Sequence, residues 1–159
     1  MPDFSELFLK TDVRPVYYKG QAFFLADKFP VTNGDTLIIN IESTKSDHLQ
    51  GLYIDVTGWV KSRGRIFKKR NGVKLLYWED TAPKNIHLQV FTKKEFVWVA
   101  NIWKSENKPI DYGHLGAAMI VEEIPNGRRY RCNDWRPDED FDDIIFTIER
   151  QVDPLPEGT

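Results

Sequence analysis

Cysteine is almost absent. Cys132 stands alone in a chain of 159 residues, so no intrachain disulfide can staple the fold and stability must come from burial. Only three histidines, His48, His87 and His114, are present to activate that thiol. Nothing in their spacing sets one beside it, and Cys132 reads as a structural cysteine. His114 reads as a surface loop residue. Long apolar runs are also missing: the most apolar stretch, residues 96–103, is far shorter than the roughly 18–20 residues that cross a bilayer, so no membrane span is expected. Surplus charge of one sign is missing too. Lys+Arg 22 against Asp+Glu 24 gives a formal charge of -2, which argues against a general nucleic-acid binder. Met1-Pro2-Asp3-Phe4-Ser5-Glu6 shows neither a basic nor an apolar leader segment, and with the unpaired cysteine this points to the cytoplasm. No G-x-S-x-G elbow, phosphate loop, dinucleotide fingerprint, zinc spacing or H-E-x-x-H is present.

What the chain does have is alternation. Leu37, Ile39 and Ile41 share one face of a segment; Leu52, Ile54 and Val56 do so in a second, Ile86, Leu88 and Val90 in a third, and Ile144, Phe146 and Ile148 in a fourth. Period two with β-branched enrichment marks half-buried antiparallel strands. Asn71-Gly72 predicts a hairpin joining 64–70 to 73–79, and Pro125-Asn126-Gly127 a second between 116–124 and 128–132. Asn33-Gly34-Asp35 and Gly64 read as further turns. The remaining candidate strands are 15–26, 36–42, 51–61, 85–92, 95–104 and 143–151. Residues 4–10 form a short helix or another strand. The expectation is an all-β, two-sheet antiparallel sandwich, jelly-roll-like, of about nine or ten strands, with less than roughly 10–15% helix. Residues 1–152 make one domain, and 153–159 a flexible tail.

Six carboxylates fall within ten residues at Asp134–Asp143, opposed by Arg136. Massed carboxylates repel one another, and Ca²⁺ relieves that best because it accepts six to eight oxygens in flexible geometry. The other reading is a solvated acidic loop that keeps an edge from aggregating. Asp138-x-Asp140-Phe141-x-Asp143-x-x-Phe146, running into the last strand, resembles the acidic signature of calcium-binding bacterial β-sandwich domains found in adhesins and cell-surface proteins. The resemblance covers about residues 115–150. Glu122-Glu123 resembles the acidic pair that ends an upstream strand in that family. The resemblance implies Ca²⁺ held by Asp138, Asp140 and Asp143 with Glu122 or Glu123, core roles for Phe141 and Phe146, and an extracellular location. Trp135-Arg136-Pro137 departs from the glycines that family carries before its first aspartate.

Aromatics make up 13% of the chain. Trp98 and Trp103 sit at odd spacing on one expected strand, so they face opposite sides, one in the core and one partly exposed. With Trp78, Tyr53 and Tyr112 they are the candidates for a platform that stacks sugar rings; the alternative is that such rings fill the core. Lys61–Arg70 carries six basic residues in ten and reads as a charge-protected hairpin edge that binds polyanions weakly or not at all. Its contrast with the acidic loop would suit a charge-paired homodimer. Three functions fit: a non-catalytic binding module for carbohydrate or a surface polymer, stabilised by calcium; a protein-interaction domain of inhibitor or immunity type; and a jelly-roll hydrolase or lyase using a carboxylate pair among Glu122, Glu123, Asp138 and Asp140.

Overall fold

The computed structural model describes residues 15–105, 108–111, 117–134 and 140–152. Tyr112, His114, Asp138, residues 4–10 and the tail lie outside these. In chain order the strands are β1 (Val16–Tyr18), β2 (Gln21–Phe23), β3 (Asp27–Pro30), β4 (Thr36–Thr44), β5 (Gln50–Val56), β6 (Gly58–Ser62) and β7 (Arg65–Lys68). Then follow β8 (Val73–Trp78), β9 (Ile86–Thr92), β10 (Phe96–Ser105), β11 (Lys108–Asp111), β12 (Ala118–Ile124), β13 (Gly127–Asn133) and β14 (Ile144–Arg150). No helix occurs among the described residues.

The strands exceed the expected nine or ten because two long segments break and because β3 and β11 lie outside the expected strands. Residues 15–26 fold back at Lys19-Gly20, both at positive φ, to give the β1–β2 hairpin. Residues 51–61 leave one sheet after Val56 and enter the other at Gly58, so one expected strand is β5 and β6.

Every pairing is antiparallel. A seven-stranded sheet runs β12-β13-β14-β4-β9-β6-β7, and a five-stranded sheet runs β11-β10-β5-β8 with β3 also on β10. The alternating residues meet between them: Phe29, Leu52, Ile54, Val56, Val97 and Val99 from the smaller sheet face Leu37, Ile39, Val60, Leu88, Val90, Phe146 and Ile148 from the larger. Phe141 belongs instead to a small second cluster with Val16, Phe23 and Ala118, which seats the β1–β2 hairpin near β12. A bridge between Phe24 and Met119 covers part of the β12 edge, where open backbone groups would invite pairing with another chain.

Asn71-Gly72 does not close the expected hairpin. β7 pairs with β6 and β8 with β5, so the turn carries the chain from one sheet to the other. The hairpin of β6 and β7 instead turns at Arg63-Gly64, both at positive φ. The Pro125-Asn126-Gly127 hairpin forms as expected between β12 and β13, with Asn126 in the left-handed region.

Buried polar ties join the two sheets: Asn101 Nδ2 on β10 donates to the Asn133 carbonyl on β13 at 2.9 Å, and a second tie centres on Asp27. Asp27 on β3 is 5% exposed and accepts hydrogen bonds from Tyr130 Oη at 2.6 Å and Arg128 Nη1 at 2.8 Å, both on β13. Burial and Asp27 push the Tyr130 phenol well above its ordinary range, and burial pushes Tyr77 up to about 12. In the unfolded chain both phenols ionise near 10. Their contribution to stability is therefore complete below about pH 10 and is lost as pH rises toward 12, because the unfolded state then binds fewer protons. Urea midpoints at pH 9 and pH 11 should show this fall, and Tyr77→Phe should reduce it. A midpoint that does not move would contradict the assignment.

Cys132 is fully buried in the main core, and burial, then the charge of Asp143, raise its thiol well above the ordinary value. A thiol-specific reagent at pH 8 should leave the native protein untouched and label it fully once urea unfolds it. Rapid labelling of the folded chain would contradict this.

Candidate functional site

At one end of the sandwich four connections cross between the sheets: β3 to β4, β5 to β6, β7 to β8 and β9 to β10. They enclose an open cleft of about 1380 Å³ whose lining includes Asn33, Trp59, Lys68, Lys69, Arg70, Phe91, Lys93, Lys94 and Glu95. That exceeds the roughly 300–1,000 Å³ of a small-molecule pocket and suits a segment of a larger ligand.

Backbone hydrogen bonds fasten the loops together. Val31 N–H donates to Glu95 O at 3.0 Å, and Gly34 N–H to Val90 O at 2.8 Å. Thr92 N–H donates to Asn33 Oδ1 at 2.9 Å, and Thr92 Oγ1 to the Thr57 carbonyl at 2.7 Å. Gly58 lets β6 press on β9: a Cβ there would run into the Phe91 carbonyl oxygen. Gly72, at positive φ, lets the β7–β8 turn close against the Val56 carbonyl.

The floor is a ring pair. Trp59 on β6 pairs across the sheet with Phe91 on one side and Lys68 on the other. The rings of Trp59 and Phe91 stack at 3.9 Å and 8° between planes. Lys68 Nζ lies 5.6 Å from the Trp59 ring centroid, at cation–π distance. Trp59 and Phe91 are half-buried, and the five cations are exposed. None of the five forms an ion pair among the described residues, whereas Arg128, Arg129 and Arg131 are all paired with carboxylates.

The expected platform residues do not meet here. Trp103 is 0% exposed, facing the core from β10, and has no surface to offer. Trp98, Tyr53 and Trp78 are half-buried on the outer face of the five-stranded sheet. There Trp98 packs edge-on against Phe96, and Lys28 Nζ lies 4.8 Å from the Phe96 and 5.2 Å from the Trp98 centroid. Lys104 Nζ lies 4.7 Å from the Trp78 ring.

The acidic residues lie elsewhere and are engaged by the protein. Glu122 pairs with Arg129 at 3.4 Å and Arg131 at 3.6 Å. Glu123 pairs with Arg128 at 2.7 Å. Asp143 is buried, and its Oδ2 accepts the Asp134 N–H at 2.9 Å. Asp140 is exposed, and its carbonyl accepts from Arg131 at 3.4 Å. Among the described residues no three His, Cys, Asp or Glu side chains come together in a way that could hold a metal ion. The arginines also gain. Arg128 is raised above its ordinary value because Asp27 and Glu123 outweigh the effect of burial, and Arg129 is raised chiefly by its hydrogen bond to Glu42.

The molecule these features define is an antiparallel β-sandwich with a basic, aromatic-floored cleft among its inter-sheet loops. Comparison with protein-family models, curated proteins and solved structures gives no match.

Proposed function

We propose that the protein is a non-catalytic binding module that holds a segment of a carbohydrate polymer in the inter-sheet cleft. The observation that carries this reading is the cleft itself: an open groove fastened by hydrogen-bonded loops, with a stacked tryptophan floor and the polar side chains of Thr32, Thr57 and Asn71 in its lining. The indole face not covered by Phe91 takes the apolar C–H face of a sugar while hydroxyl and amide groups meet its polar rim. Hydrolysis of a glycosidic bond commonly takes two carboxyl groups about 5–10 Å apart. Among the described residues the lining has one, Glu95, which supports binding without cleavage. Calcium is not part of this reading, because Glu122, Glu123 and Asp143 are already held by arginines or backbone.

Native electrophoresis through gels containing dissolved polysaccharides tests the reading. Retarded migration is expected in at least one gel, with no release of reducing ends from the polymer. Unretarded migration in neutral and acidic polysaccharide gels alike would sink it, and release of reducing ends would return the hydrolase reading to the front.

A further inference from the structure

We propose that the cleft selects a polyanionic carbohydrate, a sugar chain bearing sulfate or carboxylate groups, over a neutral one; this rests on the cleft being the binding site. Lys68 at the end of β7, Lys69 and Arg70 from the β7–β8 turn, and Lys93 and Lys94 from the β9–β10 turn line one groove, opposed among the described residues only by Glu95. They do so in a chain whose formal charge is -2, so the rest of the molecule is markedly acidic and the positive field is local. Several cations elsewhere are neutralised, Arg128 by Asp27 and Glu123, Arg129 by Glu42 and Glu122, and Lys45 by Asp142, while other exposed lysines and arginines stand apart. What distinguishes the cleft cations is that five of them line one groove. The five cleft cations meet no carboxylate among the described residues, and their mutual repulsion is relieved by an anion placed between the two turns.

Lys68 couples charge to stacking. It lies beside Trp59 on the side away from Phe91, so an anionic substituent that draws its ammonium aside also uncovers the indole for the sugar ring. A single-stranded nucleic acid fits less well. Strand-binding grooves stack successive bases on successive rings, whereas here Phe91 is already committed to Trp59 and one indole remains. Four of the five cations are lysines, point charges without the guanidinium fork that favours phosphate backbones.

The test is titration calorimetry of the whole chain with a heparin-derived hexasaccharide, a neutral hexasaccharide of glucose, and a twelve-nucleotide oligothymidylate. The sulfated sugar should bind most tightly, and its affinity should fall roughly 10-fold or more between about 50 and about 200 mM salt. The double substitution Lys69→Glu/Lys94→Glu should weaken it by a further 10-fold or more, while Lys84→Glu, remote from the cleft, leaves it unchanged. Circular dichroism confirms that each variant is folded. If the neutral sugar binds as tightly and without salt dependence, charge selection is wrong while the cleft reading stands. If neither sugar binds, the cleft reading itself falls. If the oligonucleotide binds more tightly than the sulfated sugar, the partner is a nucleic acid and this inference is overturned.

Discussion

Replacing Asp27 by alanine should lower the unfolding free energy by about 3–5 kcal/mol, a fall in melting temperature on the order of 10 °C for a chain of this size. The reason is the asymmetry of buried charge. Asp27 takes the Tyr130 hydroxyl and the Arg128 guanidinium at 2.6 and 2.8 Å inside the sandwich. Without it the Tyr130 hydroxyl, wholly buried and stacked on Phe146, loses its acceptor, and Arg128 keeps only Glu123 and the Lys28 carbonyl. Glu123→Ala removes the other carboxylate of the same arginine, but that side chain is 74% exposed, so its loss should cost less than about 1 kcal/mol. Equal losses from the two substitutions in urea unfolding would show that the tie between the sheets contributes no more than a surface pair.

Trp59→Ala should abolish most carbohydrate binding. A tryptophan at the centre of a binding surface typically contributes about 2 kcal/mol or more, so affinity should fall roughly 30-fold, with Phe91 left as a smaller and displaced ring. Trp59→Phe should restore part of it. Trp98→Ala, on the outer face of the other sheet, should leave binding unchanged. The opposite pattern, with Trp98 essential and Trp59 dispensable, would move the ligand to that face.

The strand alternation of the core was legible from the residues because one buried face imposes period two. Leu52, Ile54 and Val56, or Ile86, Leu88 and Val90, can face the core in no other register. The odd spacing of Trp98 and Trp103 likewise assigned them to opposite faces, though not which was inside; Trp103 is the buried one. The Asn71-Gly72 signal reads as a hairpin because a turn residue constrains backbone dihedrals without naming the strand that follows. Here the following strand belongs to the other sheet.

That same ambiguity hid the cleft. Trp59 meets Phe91 only because β6 lies beside β9, a neighbour thirty residues on that no local pattern announces. The basic run at Lys61–Arg70 is plain in the sequence, where it reads as one solvated edge. The fold divides it, leaving Arg63 and Arg65 at the β6–β7 hairpin end and turning Lys68, Lys69 and Arg70 to face Lys93 and Lys94. The acidic stretch stands out by its density, yet density does not tell a metal ligand from an ion-pair partner. Asp143 accepts a backbone N–H, and Glu122 and Glu123 hold arginines on the neighbouring strand.

Amide chemical shifts recorded while the sulfated hexasaccharide is titrated into the labelled protein locate the binding site. Binding in the cleft should shift residues 31–33, 57–59, 68–72 and 91–95, together with the indole N–H of Trp59. Shifts centred instead on Tyr53, Trp78 and Trp98, or none at saturating sugar, would contradict it.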